Sequence, residues 1–244
     1  MRLDSKVTIV TGAGSGIGRA AARLFAERGA CVVVADVDEQ AGRHVAEEIV
    51  EAGGQALPVT CDVSSAAQVE AMVRGAVETF QRLDVLYNNA GIWLPAWGSY
   101  VRGKTDGPSP LLEENIWDRT LEVNLKGTYL CCRFAIPAMQ ASGGGSIINT
   151  SSVAALRVGE GVSDAYTASK GGVLSITRTL AVEHARAGIR CNCLAPGPVL
   201  TPMIGPLTGE KAAWAKRSIP LGRWGGRRTS RAWRCSWRAT IPTG

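Results

Sequence analysis

The sequence predicts an α/β fold: a parallel, doubly wound sheet with helices on both faces. Three observations carry this. Short apolar runs rich in β-branched residues alternate with longer stretches whose apolar residues repeat every 3–4 positions. A glycine-rich turn joins the first such run to the first helical stretch, and an acid closes the second run.

Val7–Val10 has the composition of a strand buried on both faces. Glycines at 12, 14, 16 and 18 form the turn after it. Ile17, Ala21, Leu24 and Phe25 then fall on one helical face, and Gly29 ends that helix. Cys31–Ala35 is the second buried strand, with Asp36 at its end. The amides of the turn and the helix N-terminus converge on one place, which favours a pyrophosphate. Asp36 is placed to accept hydrogen bonds from the ribose hydroxyls of an adenine nucleotide. The first unit therefore reads as a nucleotide site.

Asp38–Ala52 reads as a helix with Val45, Ile49 and Val50 on one face. Leu57–Val63 reads as the third strand, ending Cys61-Asp62-Val63. Ser65 opens a helix whose Val69, Met72, Val73, Ala76, Val77 and Phe80 keep the helical period. Leu83–Tyr87 is the fourth strand and runs into Asn88-Asn89-Ala90-Gly91. Residues 93–113 are irregular and rich in Gly, Pro and Trp. Ile116–Gln140 reads as one long helix carrying Asn124. Ser146–Thr150 is the fifth strand, followed by Ser151-Ser152. Ala165–Ala187 is a long helix bearing Tyr166 and Lys170, and Ile189–Leu194 is the sixth strand, leading to Pro196-Gly197-Pro198. No internal repeat or linker splits this series, so residues 1–225 read as one domain.

Composition narrows the function. The 244 residues are 45% hydrophobic and 20% charged, values of a globular chain with a substantial core. No apolar run reaches the ~18 residues a membrane helix needs. The N-terminus MRLDSKV leads almost at once into a strand, so no signal peptide is expected. Seven cysteines without a C-x-x-C pair read as reduced cytosolic thiols, which places the protein in the cytoplasm. The two histidines, His44 and His184, lie in charged helical stretches. That argues against a histidine metal site or a Ser-His-Asp hydrolase.

The glycine turn reads Thr-Gly-x-x-x-Gly-x-Gly from Thr11 to Gly18. This spacing resembles the short-chain dehydrogenase/reductase family. Four further pieces do so in the same order: Asn88-Asn89-Ala90-Gly91, Asn124 within Val-Asn-Leu, Ser152, and Tyr166-Thr-Ala-Ser-Lys170. The resemblance covers about residues 5 to 224. It implies a Rossmann-like fold and an NAD(H)-dependent dehydrogenase or carbonyl reductase, which moves hydride between a nicotinamide cofactor and a small secondary alcohol or ketone. It also implies a homo-oligomer, tetramer or dimer, with the Asn124 and Tyr166 helices between subunits, and neither a nucleic-acid nor a membrane partner.

The family pattern assigns roles residue by residue. Gly12, Ser15, Gly16, Ile17 and Gly18 would cradle the pyrophosphate. Asp36 would hold the adenosine ribose, and the absence of an arginine at position 37 favours NAD over NADP. Asp62 and Val63 would also touch the cofactor, and Asn89, Ala90 and Gly91 would line the adenosine ribose. Pro196, Gly197 and Val199 would meet the carboxamide, with Thr201 near the pyrophosphate. Tyr166 would be the acid/base, and Lys170, one helical turn away, would hold the nicotinamide ribose and favour the phenolate. Ser152 would hydrogen-bond the substrate oxygen, with Ser151 its rival for that role. Asn124 would hold a water linking Lys170 to solvent. The segment from Trp93 to Glu113, with Trp97 and Tyr100, is longer than the family usually has here and reads either as a wall of the substrate pocket or as an exposed insertion or oligomer contact; residues 202–220 would form a flexible flap over the substrate.

The resemblance stops after Trp224. All 21 acids and 21 of the 27 Lys and Arg residues lie before residue 222. The excess charge of +6 belongs to Arg223, Arg227, Arg228, Arg231, Arg234 and Arg238. Arginines interleaved with tryptophans suit nucleic acid, but codon arithmetic favours another origin. Read one base out of phase, allowed codons for Gly226 to Thr243 can spell KADIAGVALFLASDDSHW, a helix and then the family's usual Leu-Ala-Ser-Asp turn. Residues 226–244 thus read as an atypical basic tail, the product of a shifted frame, and the family's last strand is expected to be missing. The second functional reading follows from this: a protein that binds NAD with little catalysis because its C-terminus is defective.

Overall fold

The computed structural model describes residues 2–94, 104–109, 111–157, 163–205 and 208–225. Strands and helices alternate in the first part of the chain: β1 (Val7–Thr11), α1 (Gly16–Glu27), β2 (Cys31–Asp36), α2 (Glu39–Glu51), β3 (Gln55–Thr60), α3 (Ala66–Phe80) and β4 (Val85–Asn88). They are followed by α4 (Glu114–Leu121), α5 (Gly127–Ala141), β5 (Gly145–Thr150), α6 (Asp164–Glu183), β6 (Ile189–Leu194) and α7 (Gly209–Ser218). The six strands are all parallel, in the order β3-β2-β1-β4-β5-β6. The order reverses between β1 and β4. In such sheets a ligand crevice opens at the carboxyl ends of the strands flanking that switch point. β1 and β4 are buried along their whole length, which is why both read as continuous apolar runs. Ile9, Val33, Leu86 and Ile147 meet Met72, Met139 and Leu130 from the helices in the core.

Three of the boundaries that differ from the sequence reading bear on the site. β3 ends at Thr60, so Cys61, Asp62 and Val63 lie beyond it. The Cys61 amide still bonds the Asp36 carbonyl, but Asp62 then turns the chain by accepting the Ser64 amide. The expected helix from 116 to 140 is two helices joined by a π-turn at Glu122–Lys126. α6 ends at Glu183 and a 3₁₀ turn completes the segment to Ala187.

Contacts group the chain into two compact units, one ending at Pro196 and one beginning at Gly197. In the second unit, Gly209–Ser218 is a helix, within a segment read from sequence as a flexible flap. Trp224 is buried and its ring packs 5.7 Å from that of Trp214. Gly225 pairs with Val199 as a parallel bridge. Trp97, Tyr100 and the 226–244 tail lie outside the described residues. Among the described residues no helix is long and apolar enough to cross a membrane.

Candidate active site

The turn after β1 is built for close approach. Gly12 adopts φ +62°, in the left-handed region that favours glycine. A Cβ at Gly18 would stand 2.0 Å from the Gly12 carbonyl oxygen, so only glycine lets α1 start this close to the strand. Ser15 is the N-cap of α1 and makes no side-chain cap bond. The first amides of the helix, Ile17 and Gly18 among them, are therefore not capped by Ser15 and suit an anion. The turn is held from the neighbouring strand. Asn89 Nδ2 donates to the carbonyls of Thr11 and Gly12 at 3.1 and 3.2 Å, and Thr11 Oγ1 accepts from the amides of Asn89 and Ala90.

Asp36, at the end of β2, accepts from the Gly14 amide at 2.7 Å and the Asp38 amide at 3.0 Å. Each bond uses one lone pair on a different oxygen, which leaves each oxygen able to accept a further donor. Asp62 is more committed: it accepts from the Ser64 amide and hydroxyl and from Arg119. Burial pushes its carboxyl up, but those bonds outweigh burial and hold it below its ordinary value. Val63 is buried and leaves no room for a side chain at Gly127.

β5 and α6 deliver the second cluster. Ser151 and Ser152 follow β5 and are both buried. Ser151 Oγ donates to the Lys170 carbonyl at 2.7 Å, a bond that ties the strand end to α6. Ser152 Oγ accepts the Ala154 amide at 3.2 Å, and the Ser152 hydroxyl lies beside the Tyr166 phenol and works against the rise of its pKa. The two serines are thus separated by their partners. Lys170 is 4% exposed; its Nζ donates to the Thr150 carbonyl at 2.8 Å and sits 5.7 Å from the centre of the Tyr166 ring. Burial lowers the Lys170 ammonium to about 8. Burial also raises the Tyr166 phenol, against the opposing hydrogen bond with Ser152. The ion-pair logic that favours a phenolate is therefore outweighed by desolvation in the protein alone.

Asn124 is anchored by its side chain. It is fully buried in the π-turn, a feature that recurs at functional sites. Its Oδ1 accepts the Ile92 amide at 2.8 Å, and its Nδ2 donates to the Ile92 carbonyl and to Ser169 Oγ, both at 3.0 Å. These bonds fix the chain after β4. A Cβ at Gly91 would meet Asn124 Oδ1 at 3.1 Å and Lys170 Nζ at 3.3 Å, so Gly91, Asn124 and Lys170 meet at one point. Pro196 closes the first unit, and its carbonyl accepts the Val153 amide. Gly197, Val199 and Thr201 belong to the second unit.

The sequence reading missed four groups at this site. Thr11 Oγ1 and the Thr150 carbonyl hold the turn and the lysine. Trp93, noted only as part of a long loop, packs its ring 5.8 Å from that of Tyr166 and donates its indole N–H to Ser163 Oγ. Asp106 is 1% exposed and accepts the amides of Ala165 and Tyr166. No spacing marks Asp106 in sequence, because its partners lie about sixty positions downstream.

Residues 6–212 match the family model for short chain dehydrogenases. The chain is 42% identical over 218 residues to the cis-4-hydroxycyclohexanecarboxylate dehydrogenase of Sinomonas cyclohexanicum, covering 89% of this chain and 83% of that protein. It is 38% identical over 224 residues to the cyclohexanol dehydrogenase of Acinetobacter sp. (strain SE19), covering 92% and 84%. Among solved structures, a 7α-hydroxysteroid dehydrogenase in complex with NADH and 7-oxo glycochenodeoxycholic acid aligns with a TM-score of 0.83 at 32% identity, covering 94% of this chain and 85% of that one. The glycine turn, the parallel sheet with its switch point, and the matched length together place the chain in the short-chain dehydrogenase/reductase family.

Proposed function

We propose that the protein is an NAD(H)-dependent dehydrogenase of an alicyclic secondary alcohol and its ketone, with Tyr166 as the acid/base. The observation that carries this is the convergence of Ser152, Tyr166 and Lys170. The end of β5 and one helix bring a hydroxyl, a phenol and a buried ammonium to one place. The uncapped α1 amides, the glycine turn and Asp36 fit a dinucleotide, and the cofactor, when bound, supplies or accepts the hydride. Tyr166 then gives its phenolic proton to the substrate oxygen in reduction or takes the hydroxyl proton in oxidation. Ser152 Oγ donates a hydrogen bond to that oxygen, where charge develops. Lys170 keeps its proton at neutral pH, because about 8 still lies above 7, and provides the positive field.

The cofactor preference rests on Asp36. A 2′-phosphate there would face a carboxylate, and position 37 is an exposed valine rather than an arginine. The substrate class rests on Trp93, whose indole forms an apolar wall beside Tyr166, and on the relatives that act on cyclohexane alcohols.

The test is a panel of cyclic and linear secondary alcohols with NAD and NADP. Cyclohexanol-type substrates with NAD should lead, with NAD preferred by ~100-fold or more in kcat/KM. Equal use of both cofactors would remove Asp36 from the argument. Tyr166→Phe should lose ~100-fold or more in turnover while still binding NADH; near-normal turnover would remove Tyr166. Because burial holds the phenol protonated, alcohol oxidation should climb with pH in the alkaline range while ketone reduction falls.

A further inference from the structure

The segment after β4 is fastened to the first turn of α6 at three points. Asp106 accepts the amides of Ala165 and Tyr166 at 3.3 and 2.8 Å. Ser109 donates its amide and its hydroxyl to the Asp164 carboxylate, both at 2.8 Å. Trp93 donates its indole N–H to Ser163 Oγ at 3.1 Å. A helix start leaves its first amides without intrahelical partners, and the N-cap side chain usually accepts one of them. Here Ser163 is the N-cap, yet its side chain makes no cap bond. The carboxylate of Asp106, from a different part of the chain, does that work, and one of the two amides it takes belongs to Tyr166 itself. Burial pushes the Asp106 carboxyl above its ordinary value and the neighbouring Asp164 charge adds to this, while the bonds from the Tyr166 and Ala165 amides oppose it.

We propose that Asp106 is a positioning residue for Tyr166: by accepting the Ala165 and Tyr166 amides it fixes the first turn of α6, and with it the phenol beside Ser152. This rests on the reading of Tyr166 as the acid/base. Its consequence is that Trp93, Asp106, Ser109 and the first turn of α6 form one preorganised unit, so these contacts and proton transfer are coupled.

The experiment compares Asp106→Ala, Asp106→Asn and the double variant Asp106→Ala/Ser163→Asp, which restores a carboxylate cap from the helix's own N-cap. Asp106→Ala should lower kcat by about 10- to 100-fold, the scale of an ångström-level misplacement, with NADH affinity changed by less than about twofold. The double variant should recover most of that kcat. Hydrogen exchange at the Ala165 and Tyr166 amides should quicken about tenfold or more in Asp106→Ala, with that of Lys170 unchanged. Asp106→Asn keeps one acceptor oxygen and should fall between wild type and Asp106→Ala; it carries the test should Asp106→Ala not fold. Unchanged kcat, a parallel loss of NADH affinity, or a kcat loss that Ser163→Asp does not repair would each overturn the proposal. Should Tyr166→Phe retain turnover, the acid/base reading falls by itself, and the exchange rates still report whether Asp106 holds the turn.

Discussion

At the scale of single residues, the site turns on a buried cation. Lys170 has its ammonium lowered by burial to about 8, against an ordinary value of 10.5. Below pH 8 both folded and unfolded chains hold the proton, and the folded state bears the full cost of burying it. Between about 8 and 10.5 the unfolded chain binds a proton that the folded chain has released. Stability from this group therefore rises with pH across that window, and it is lost as pH falls through 8. The full difference corresponds to about 3 kcal/mol, reduced in a variant by the lost bond to the Thr150 carbonyl. Lys170→Met should then be more stable than wild type by roughly 1–2 kcal/mol at pH 7, with the gap closing above pH ~10, while turnover falls by ~100-fold or more. Thermal unfolding of both proteins from pH 6 to 10 checks this; a constant gap across that range would refute it. Sequence could pair Tyr166 with Lys170, because their spacing is local. It preferred Ser152 to its rival Ser151 on the small apolar residue that follows, and could not show that the Ser151 hydroxyl is spent on the Lys170 carbonyl, nineteen positions away.

At the scale of elements, legibility follows the range of the forces. The strands and α1 are read from composition and period because burial on a sheet is a local pattern repeated over several residues. The glycine turn is legible for the same reason, and its geometry now gives it a magnitude. An alanine at position 18 drives a Cβ against backbone, not against a side chain that could move. Gly18→Ala should cost about 2–3 kcal/mol or more and abolish measurable dinucleotide binding. Gly75, in the middle of α3, has open space around its missing Cβ, so Gly75→Ala should instead stabilise by about 0.5–1 kcal/mol. Urea unfolding and NADH titration separate the two, and equal effects of both substitutions would count against the packing argument. What sequence could not show was the π-turn around Asn124 and the end of β3. The first is fixed by hydrogen bonds to Ile92, thirty-two positions away; the second by a turn that Asp62 and Ser64 make with each other. The cap supplied by Asp106 to α6 is hidden for the same reason: its partner is close in space and remote in the chain.

At the scale of the whole molecule, the sheet's order explains the site and sets the question of the β6 edge. The glycine turn follows β1, Asn89 to Gly91 follow β4, and Ser152 follows β5, so three neighbouring strands at the switch point present their carboxyl ends together. β6 lies at one edge, and among the described residues no strand pairs with its outer side. Ile189 and Cys191 face the core while Arg190 and Asn192 alternate outward, so β6 keeps the pattern of a strand able to accept a neighbour. An uncovered parallel edge is a template for association. The 226–244 stretch carries arginines and tryptophans with no acid and no apolar period, and arginines entering a core unpaired are strongly disfavoured. The out-of-phase reading replaces that stretch with an amphipathic helix and a Leu-Ala-Ser-Asp turn. A chain produced from the coding DNA in that frame, continued to its own stop codon, should cover the β6 edge. It should melt higher, by about 2–4 °C for each kcal/mol gained, and run as one defined oligomer in sedimentation, while the chain with the arginine-rich ending should run as a mixture of species. Identical melting and sedimentation of the two chains would show that residues 226–244 have no part in closing the sheet. A coding sequence in which no single-base change opens such an ending would dismiss the shifted frame outright.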